Sequence, residues 1–371
     1  MHCSFKTHLI NRYICFSVFV CSFITIRSSC QDTLAMARVQ WQRTINVTAK
    51  LSAGSRKIIV VKPGQSIEKA VRRAAAGGVG TVMLAAGIHR VNRPLLVPSS
   101  TVLQGVHRDS TRLHVYIKAP FAAHESGKRT GAVVFKKVSN AGLENLTIQY
   151  KAASFEPNDK DSLNAAWDRN VFHGRECRDT MLFVDLVLID SSEKIWVKNC
   201  RLLWAGNDPI HMTASQFITC SKNYIDRAYN KSDRGQGYYN IIRSKHILVD
   251  GDTVRRIRHF TIHRGSQYIV VRNSFFEVDI NFHNGDAGYN LIEGNTVRIP
   301  SWHSWNAISR GDPRQHQPPG PWNLLYNNYF CNKDGRVVAS GKGIAYLVND
   351  RWEGGVIRPV GIAIPATESL Y

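Results

Sequence analysis

Histidine and arginine recur at matching places in five stretches of this 371-residue sequence, with a tyrosine and a tryptophan beside them. His211, His263 and His283 form one set, with Ile242 and Ser309 at the equivalent positions. Arg243, Arg264 and Arg310 form a second set, with Met212 and Asn284, and Tyr238, His259, Asp279 and Trp305 form a third, with Asn207. An imidazole titrating near neutrality can remove a proton from carbon. A guanidinium can clamp a carboxylate through two hydrogen bonds and stabilise charge developing on it. A phenol or a second imidazole can then protonate a departing oxygen. These are the groups that β-elimination beside a carboxylate requires. His263 or His283 is therefore the expected base, Arg264, Arg310 and Arg243 the carboxylate clamps, and Tyr238 or His259 the acid. His211, Asp279 and Asn284 are expected to contact the bound molecule.

Residues this far apart need an element that stacks them. The stretch from Arg258 to Asp286 supplies it, because IHRG at Ile262 to Gly265 and FHNG at Phe282 to Gly285 are each followed by an apolar run ending in asparagine, Asn273 and Asn295. The period is about 20 to 22 residues, that of a solenoid coil. The same unit ends at Asn145, Asn199, Asn223, Asp252 and Asn328, and these positions read as a scaffold ladder of stacked amides. Taking that ladder as register, NDPIHMT, YNIIRS, HFTIHRG, DINFHNG and WNAISRG overlay, with Ile210, Ile241, Ile262, Phe282 and Ile308 pointing inward. Their neighbours face outward on coils about 4.8 Å apart. Spacings longer than one coil mark inserted loops, which often wall a groove.

The composition is that of a folded chain with an unusual charge: 43% hydrophobic, with 48 Lys+Arg against 28 Asp+Glu, a formal net charge of +20. Such a balance favours a polyanionic partner. Residues 1–30 place Lys6, His8 and Arg12 before an apolar run and then Ser28, Ser29 and Cys30, the order of a secretory signal, so export without a retained membrane span is expected. Of eight cysteines, Cys177, Cys200, Cys220 and Cys331 lie beyond that segment, with spacings that suit small buried side chains as well as bridges. Among the sequons, Asn46 and Asn230 are the expected acceptors, and Asn145 is expected to be too buried.

Residues 31–56 lack a period and read as a linker. KIIVVKPG from Lys57 reads as a strand, and SIEKAVRRAAAGG as a helix with Ser66 as N-cap and Gly77 and Gly78 stopping it. Short strands separated by Gly, Pro and Ser follow. The run from Val60 to Val106 resembles the N-terminal cap and first coils of the pectate-lyase-like, right-handed parallel β-helix superfamily. The resemblance implies an all-β, single-stranded solenoid over 57–335 with a short capping helix and a C-terminal capping segment over 336–371. It leaves activity open, since that superfamily contains lyases, hydrolases, epimerases, esterases and adhesins. It also allows Ca²⁺ as a cofactor, for which Asp208, Asp279, Asp286 and Asp312 are the candidate ligands, although no dense acidic cluster is evident and no metal ligand is assigned. Asp208-Pro209-Ile210-His211 is similar to the Asp-Pro-His motif of mannuronan C5-epimerases, with one residue inserted. The Asn-Thr-Asp, Asp-Asp and His-Gly signatures of polygalacturonase-type hydrolases are not intact.

Taken together, these features point to a secreted polysaccharide lyase acting on an anionic, uronate-containing glycan. The alternatives are a C5-epimerase on the same apparatus, a non-catalytic glycan-binding or adhesive β-helix, and a glycoside hydrolase. Trp302 and Trp305 are expected to stack on sugar rings, with the loop ending at Trp322 as a wall. The insert between Gln149 and Arg175 is expected to form another. A monomer is expected, and no nucleic-acid module, P-loop, HExxH or CxxC pair is present.

Overall fold

A computed structural model describes residues 32–46, 57–77, 80–121, 127–153, 181–231, 236–300, 303, 305–311, 314–331, 344–348 and 351–353. The expectations for the signal segment, for Cys177, Trp302 and Asp312, and for the insert after Gln149 lie largely or wholly outside these residues.

One turn of the chain shows how the architecture is made. The strand Tyr238–Ile242 passes through a tight corner to Lys245–Asp250, then through a second corner to Thr253–Arg255, and returns as His259–His263 beside its own start. Every strand pairs in parallel with its counterpart one coil away, giving sheets of eleven, eight and ten strands. This is a right-handed parallel β-helix, the hand that parallel crossovers adopt. Isoleucine, valine and phenylalanine fill its interior because alternate strand residues point inward on all three sides, as Ile241, Ile262 and Phe282 do with no exposed surface. Burying each such side chain stabilises the fold by about 1.5–3 kcal/mol.

The corners explain the polar columns. Between the eleven- and ten-stranded sheets one residue per coil takes a left-handed conformation, at Asn145 (φ 55°), Asn199 (φ 51°), Gly251 (φ 71°) and Asn273 (φ 51°). Asparagine and glycine tolerate that region best. The next residue forms the hydrogen-bonded ladder: Asn223 Oδ1 accepts from Cys200 N, Asp252 from Asn223 N, Ser274 Oγ from Asp252 N, and Asn295 from Ser274 N. The asparagine column read from sequence therefore merges two adjacent positions. A serine ladder, Ser192, Ser215, Ser244 and Ser266, does the same work at the corner after the eight-stranded sheet.

Three expectations change. Residues 32–46 are a helix rather than a linker, with Ala37 and Trp41 buried against Leu248, Val270, Leu291, Leu324 and Tyr326 on the outer face of the eleven-stranded sheet. Strands Ile344–Val348 and Arg351–Glu353 continue the eleven- and ten-stranded sheets, so the solenoid runs past residue 335 into the stretch expected only to cap it. Asn230, expected as a glycan acceptor, is 2% exposed and its amide donates to Gly206 O, whereas Asn46 is exposed. The helix Ile67–Ala76 forms as expected, with Ser66 Oγ accepting from Lys69 N. Cys200 and Cys220 are free, fully buried thiols. Among the described residues no helix is long and apolar enough to cross a membrane.

Candidate functional site

The outward face of the eight-stranded sheet collects the residues expected to do chemistry, in a register that differs at its two ends. Tyr238 pairs with His259, Ile242 with His263, and His263 with His283. His211, however, pairs with Asn240, and Ser309 with Asn281, each two positions from the overlay drawn on sequence. The central outward row is therefore His211, Asn240, Thr261, Asn281 and Ser309. Arg310 falls opposite Phe282 and does not continue the row of Arg243, Arg264 and Asn284. Those three sit at left-handed corner positions, with Arg264 exposed and Asn284 Oδ1 accepting from Gln317 N.

Two aspartates organise the face. Arg129 donates to both oxygens of Asp185 at 2.6 and 2.8 Å and to Asp208 at 2.6 Å, joining two buried carboxylates through one guanidinium. Asp208 also lies 3.0 Å from His211 Nδ1 and accepts from Tyr238 N. Burial raises the Asp208 pKa, but the charge of Arg129 and the contact with His211 outweigh it and hold the carboxylate below its ordinary range. Asp279 is the second centre. Its Oδ1 is 2.6 Å from His259 Nδ1 and 2.9 Å from His303 Nε2, while Oδ2 accepts from Asn281 Nδ2 and from the Ser309 hydroxyl. Burial opposes ionisation here too, yet His259 and His303 depress the pKa well below the usual carboxylate value.

Tyr238 lies between these centres, with its ring centroid 5.0 Å from that of His259 and 6.1 Å from that of His283. His283 Nδ1 is 3.2 Å from His263 Nε2, and its ring centroid is 4.4 Å from that of His316. His316 reaches this position because residue 311 is glycine: a Cβ there would stand 2.3 Å from His316 Nδ1. The imidazoles are held neutral. Burial, reinforced by the neighbouring imidazoles, which disfavour a second charge, and by Arg258, lowers His283 to about 2; burial and Arg264 lower His263 to about 3. Burial lowers His259 to about 4 against the opposing pull of Asp279, and lowers His211 as well. Of these four only His283 is more than slightly exposed.

Arg258 was not among the residues expected from sequence. It is 8% exposed, and its guanidinium carbon lies 5.7 Å from the Tyr238 ring centroid and 5.3 Å from that of Trp305. No carboxylate pairs with it among the described residues; its Nη1 donates to Lys231 O at 3.5 Å, and its Nε is buried without a hydrogen-bond partner. His303 and His316 were missed as well, since both come from loops without period. Trp305 packs against His259 at 4.4 Å between centroids.

Among the described residues the donor set offers no oxygen-rich cluster for Ca²⁺, and Asp312 lies outside them. Asp208, Asp279 and Asp286 each face N–H or O–H donors, and the single convergent group of three ligand-bearing side chains among the described residues is His259, Asp279 and His303. Calcium needs six to eight oxygens.

No family model matches the chain, and no curated protein matches it. Its fold is similar to that of a pectin methylesterase from Yersinia enterocolitica (15% identity, 79% of this chain and 92% of that one, TM-score 0.44). It is similar also to the major allergen from cedar pollen (13%, 80% and 85%, TM-score 0.44) and to an exopolygalacturonase from Thermotoga maritima (10%, 80% and 84%, TM-score 0.46).

Proposed function

We propose that this protein is a polysaccharide lyase that cleaves an anionic, uronate-containing glycan by β-elimination. The observation that carries the reading is Arg258, a buried guanidinium without a carboxylate partner among the described residues, set beside a phenol and neutral imidazoles. A buried charge is costly unless something compensates it, and a uronate carboxylate is the complementary group. In the reaction, Arg258 neutralises the C6 carboxylate, with Arg264 at the exposed corner drawing the anionic chain onto the face. Neutralisation makes the C5 proton acidic. His283, with its Nδ1–H donated to His263 Nε2, presents Nε2 as the base that takes that proton. The O4–C4 bond breaks as the C4–C5 double bond forms, and Tyr238 protonates the departing O4. The low pKa of free His283 rises when an anionic chain binds, because the same desolvated pocket then holds negative charge.

A C5-epimerase is the second reading, favoured by one further feature. His211 on Asp208 and His259 on Asp279 are two carboxylate-held imidazoles flanking Tyr238, and epimerisation needs proton donors and acceptors on two faces of a sugar. The experiment compares a uronate glycan with the same glycan after carboxyl reduction. The lyase reading expects unsaturated product from the first and none from the second. Exchange of the C5 hydrogen with solvent without cleavage selects the epimerase, and turnover of the reduced glycan overturns both.

A further inference from the structure

The group around Asp279 is built in a way that proton abstraction does not require. We infer that His259 Nδ1, Asp279 Oδ1 and His303 Nε2 form a binding site for one divalent transition metal of the zinc class. The three ligand atoms lie within 4.8 Å of one another, on side chains exposed by 2%, 0% and 2%. Two imidazole nitrogens and one carboxylate oxygen are the donor set that zinc and its first-row neighbours select, and the one that calcium and magnesium avoid.

The contacts at His303 point the same way. His303 Nε2 lies 3.2 Å from the Asp279 backbone nitrogen, so the ring is held against this one residue. The same nitrogen is 2.9 Å from Asp279 Oδ1, itself 2.6 Å from His259 Nδ1. A single cation among these three atoms would take the place of the protons that bridge them. The other oxygen, Oδ2, is fixed by Asn281 and Ser309 from the same face, the outer support that orients a metal-bound carboxylate. His259 opens one strand and Asp279 immediately precedes the next, whose register is set by Phe260 and Ile280, so both ligands are anchored to the sheet. Trp305 packs against both imidazoles, at 4.4 and 5.4 Å between centroids, and restricts their rotation.

The inference is independent of the lyase reading, and its test does not depend on turnover. Full-length protein is stripped with a chelator, and Zn²⁺ binding is measured by titration calorimetry and by metal content after dialysis, with Ca²⁺ titrated in parallel. The expected result is one Zn²⁺ per chain, no Ca²⁺ at that site, and affinity lowered by more than about 100-fold in His303→Ala, beyond the usual cost of losing an outer-shell partner. Co²⁺ gives a second readout, since its visible spectrum reports nitrogen ligation and should change in Asp279→Asn and His303→Ala. His316→Ala, outside the three ligands, should bind as the parent does, and circular dichroism checks that each variant is folded. A stoichiometry well below one overturns the assignment. So does a folded His303→Ala that binds normally, or loss of binding in His316→Ala instead.

Discussion

Nδ1 of His283 lies 3.2 Å from Nε2 of His263 across the gap between two adjacent coils, in strands whose register pairs these residues directly. One nitrogen must donate and the other accept, so the pair is stable only while at least one ring stays neutral. Burial, the neighbouring imidazoles and the arginines Arg264 and Arg258 hold His263 to about 3 and His283 to about 2, against about 6.5 in an unfolded chain. Below that value the unfolded chain binds protons that the folded protein refuses. Stability should therefore fall as pH drops from about 6.5 toward about 3, with a slope of up to about 1.4 kcal/mol per pH unit for each proton the folded pair refuses. Denaturant unfolding of the parent and of His283→Asn at several pH values checks this, with a shallower acid slope expected in the variant.

Asp252 titrates in the opposite sense. Burial in the corner ladder raises it to about 7, although Asn223 and Tyr239 donate to it. Between about pH 4 and 7 the folded protein keeps a proton that the unfolded chain loses, so this group removes stability as pH rises through that window. The ladder carries asparagine at the same position in other coils, at Asn223, Asn295 and Asn328. Asp252→Asn should therefore be more stable than the parent at pH 8, by on the order of 1–3 kcal/mol, and nearly equal to it at pH 4. Chemical denaturation at the two pH values measures the difference.

Arg258 should separate stability from activity. Replacing a buried charge that no carboxylate compensates with methionine removes a desolvation cost and gives up a 3.5 Å hydrogen bond to Lys231 O, so Arg258→Met is expected to unfold within about 1 kcal/mol of the parent. The same change should lower kcat/KM on a uronate glycan by about 100-fold or more through loss of the carboxylate contact. Thermal unfolding and steady-state kinetics on the same preparation read both effects.

The helix over residues 32–46 should be part of the folded unit. Trp41 is 1% exposed, and its Nε1 donates to Tyr289 O at 2.8 Å. Trp41→Ala is expected to destabilise the protein by about 3–5 kcal/mol, measured by denaturant unfolding.

Much of this molecule can be read from the chain because a solenoid writes its structure as a period. The inward row Ile241, Ile262 and Phe282 and the outward pairs Tyr238 with His259 and His263 with His283 follow from the 20- to 22-residue repeat. The ends of the face are different. The steps from Ile210 to Tyr239 and from Ile280 to Ile308 contain inserts, and a slip of two residues at either one preserves the alternation of inward and outward side chains. Hydrophobic pattern detects a slip of one residue and is blind to a slip of two, so Arg310 and His211 were placed beside the wrong neighbours. Arg258, His303 and His316 come from turns and loops, where no period announces them. The helix did leave a signal: Leu34, Ala37, Trp41, Thr44 and Ile45 fall on one helical face.

The central claim is that this face eliminates across the C4–C5 bond of a uronate, with His283 as the base. Its most direct test is the ultraviolet absorbance of the unsaturated uronate formed when the full-length protein is incubated with alginate, pectate, glucuronan, ulvan and glycosaminoglycans. The account predicts growing absorbance on at least one of these glycans, and a fall of about 100-fold or more in kcat/KM for His283→Ala with the fold intact. Retention of the protein on an anionic-glycan column, with neither unsaturated product nor C5 hydrogen exchange on any of them, would contradict it.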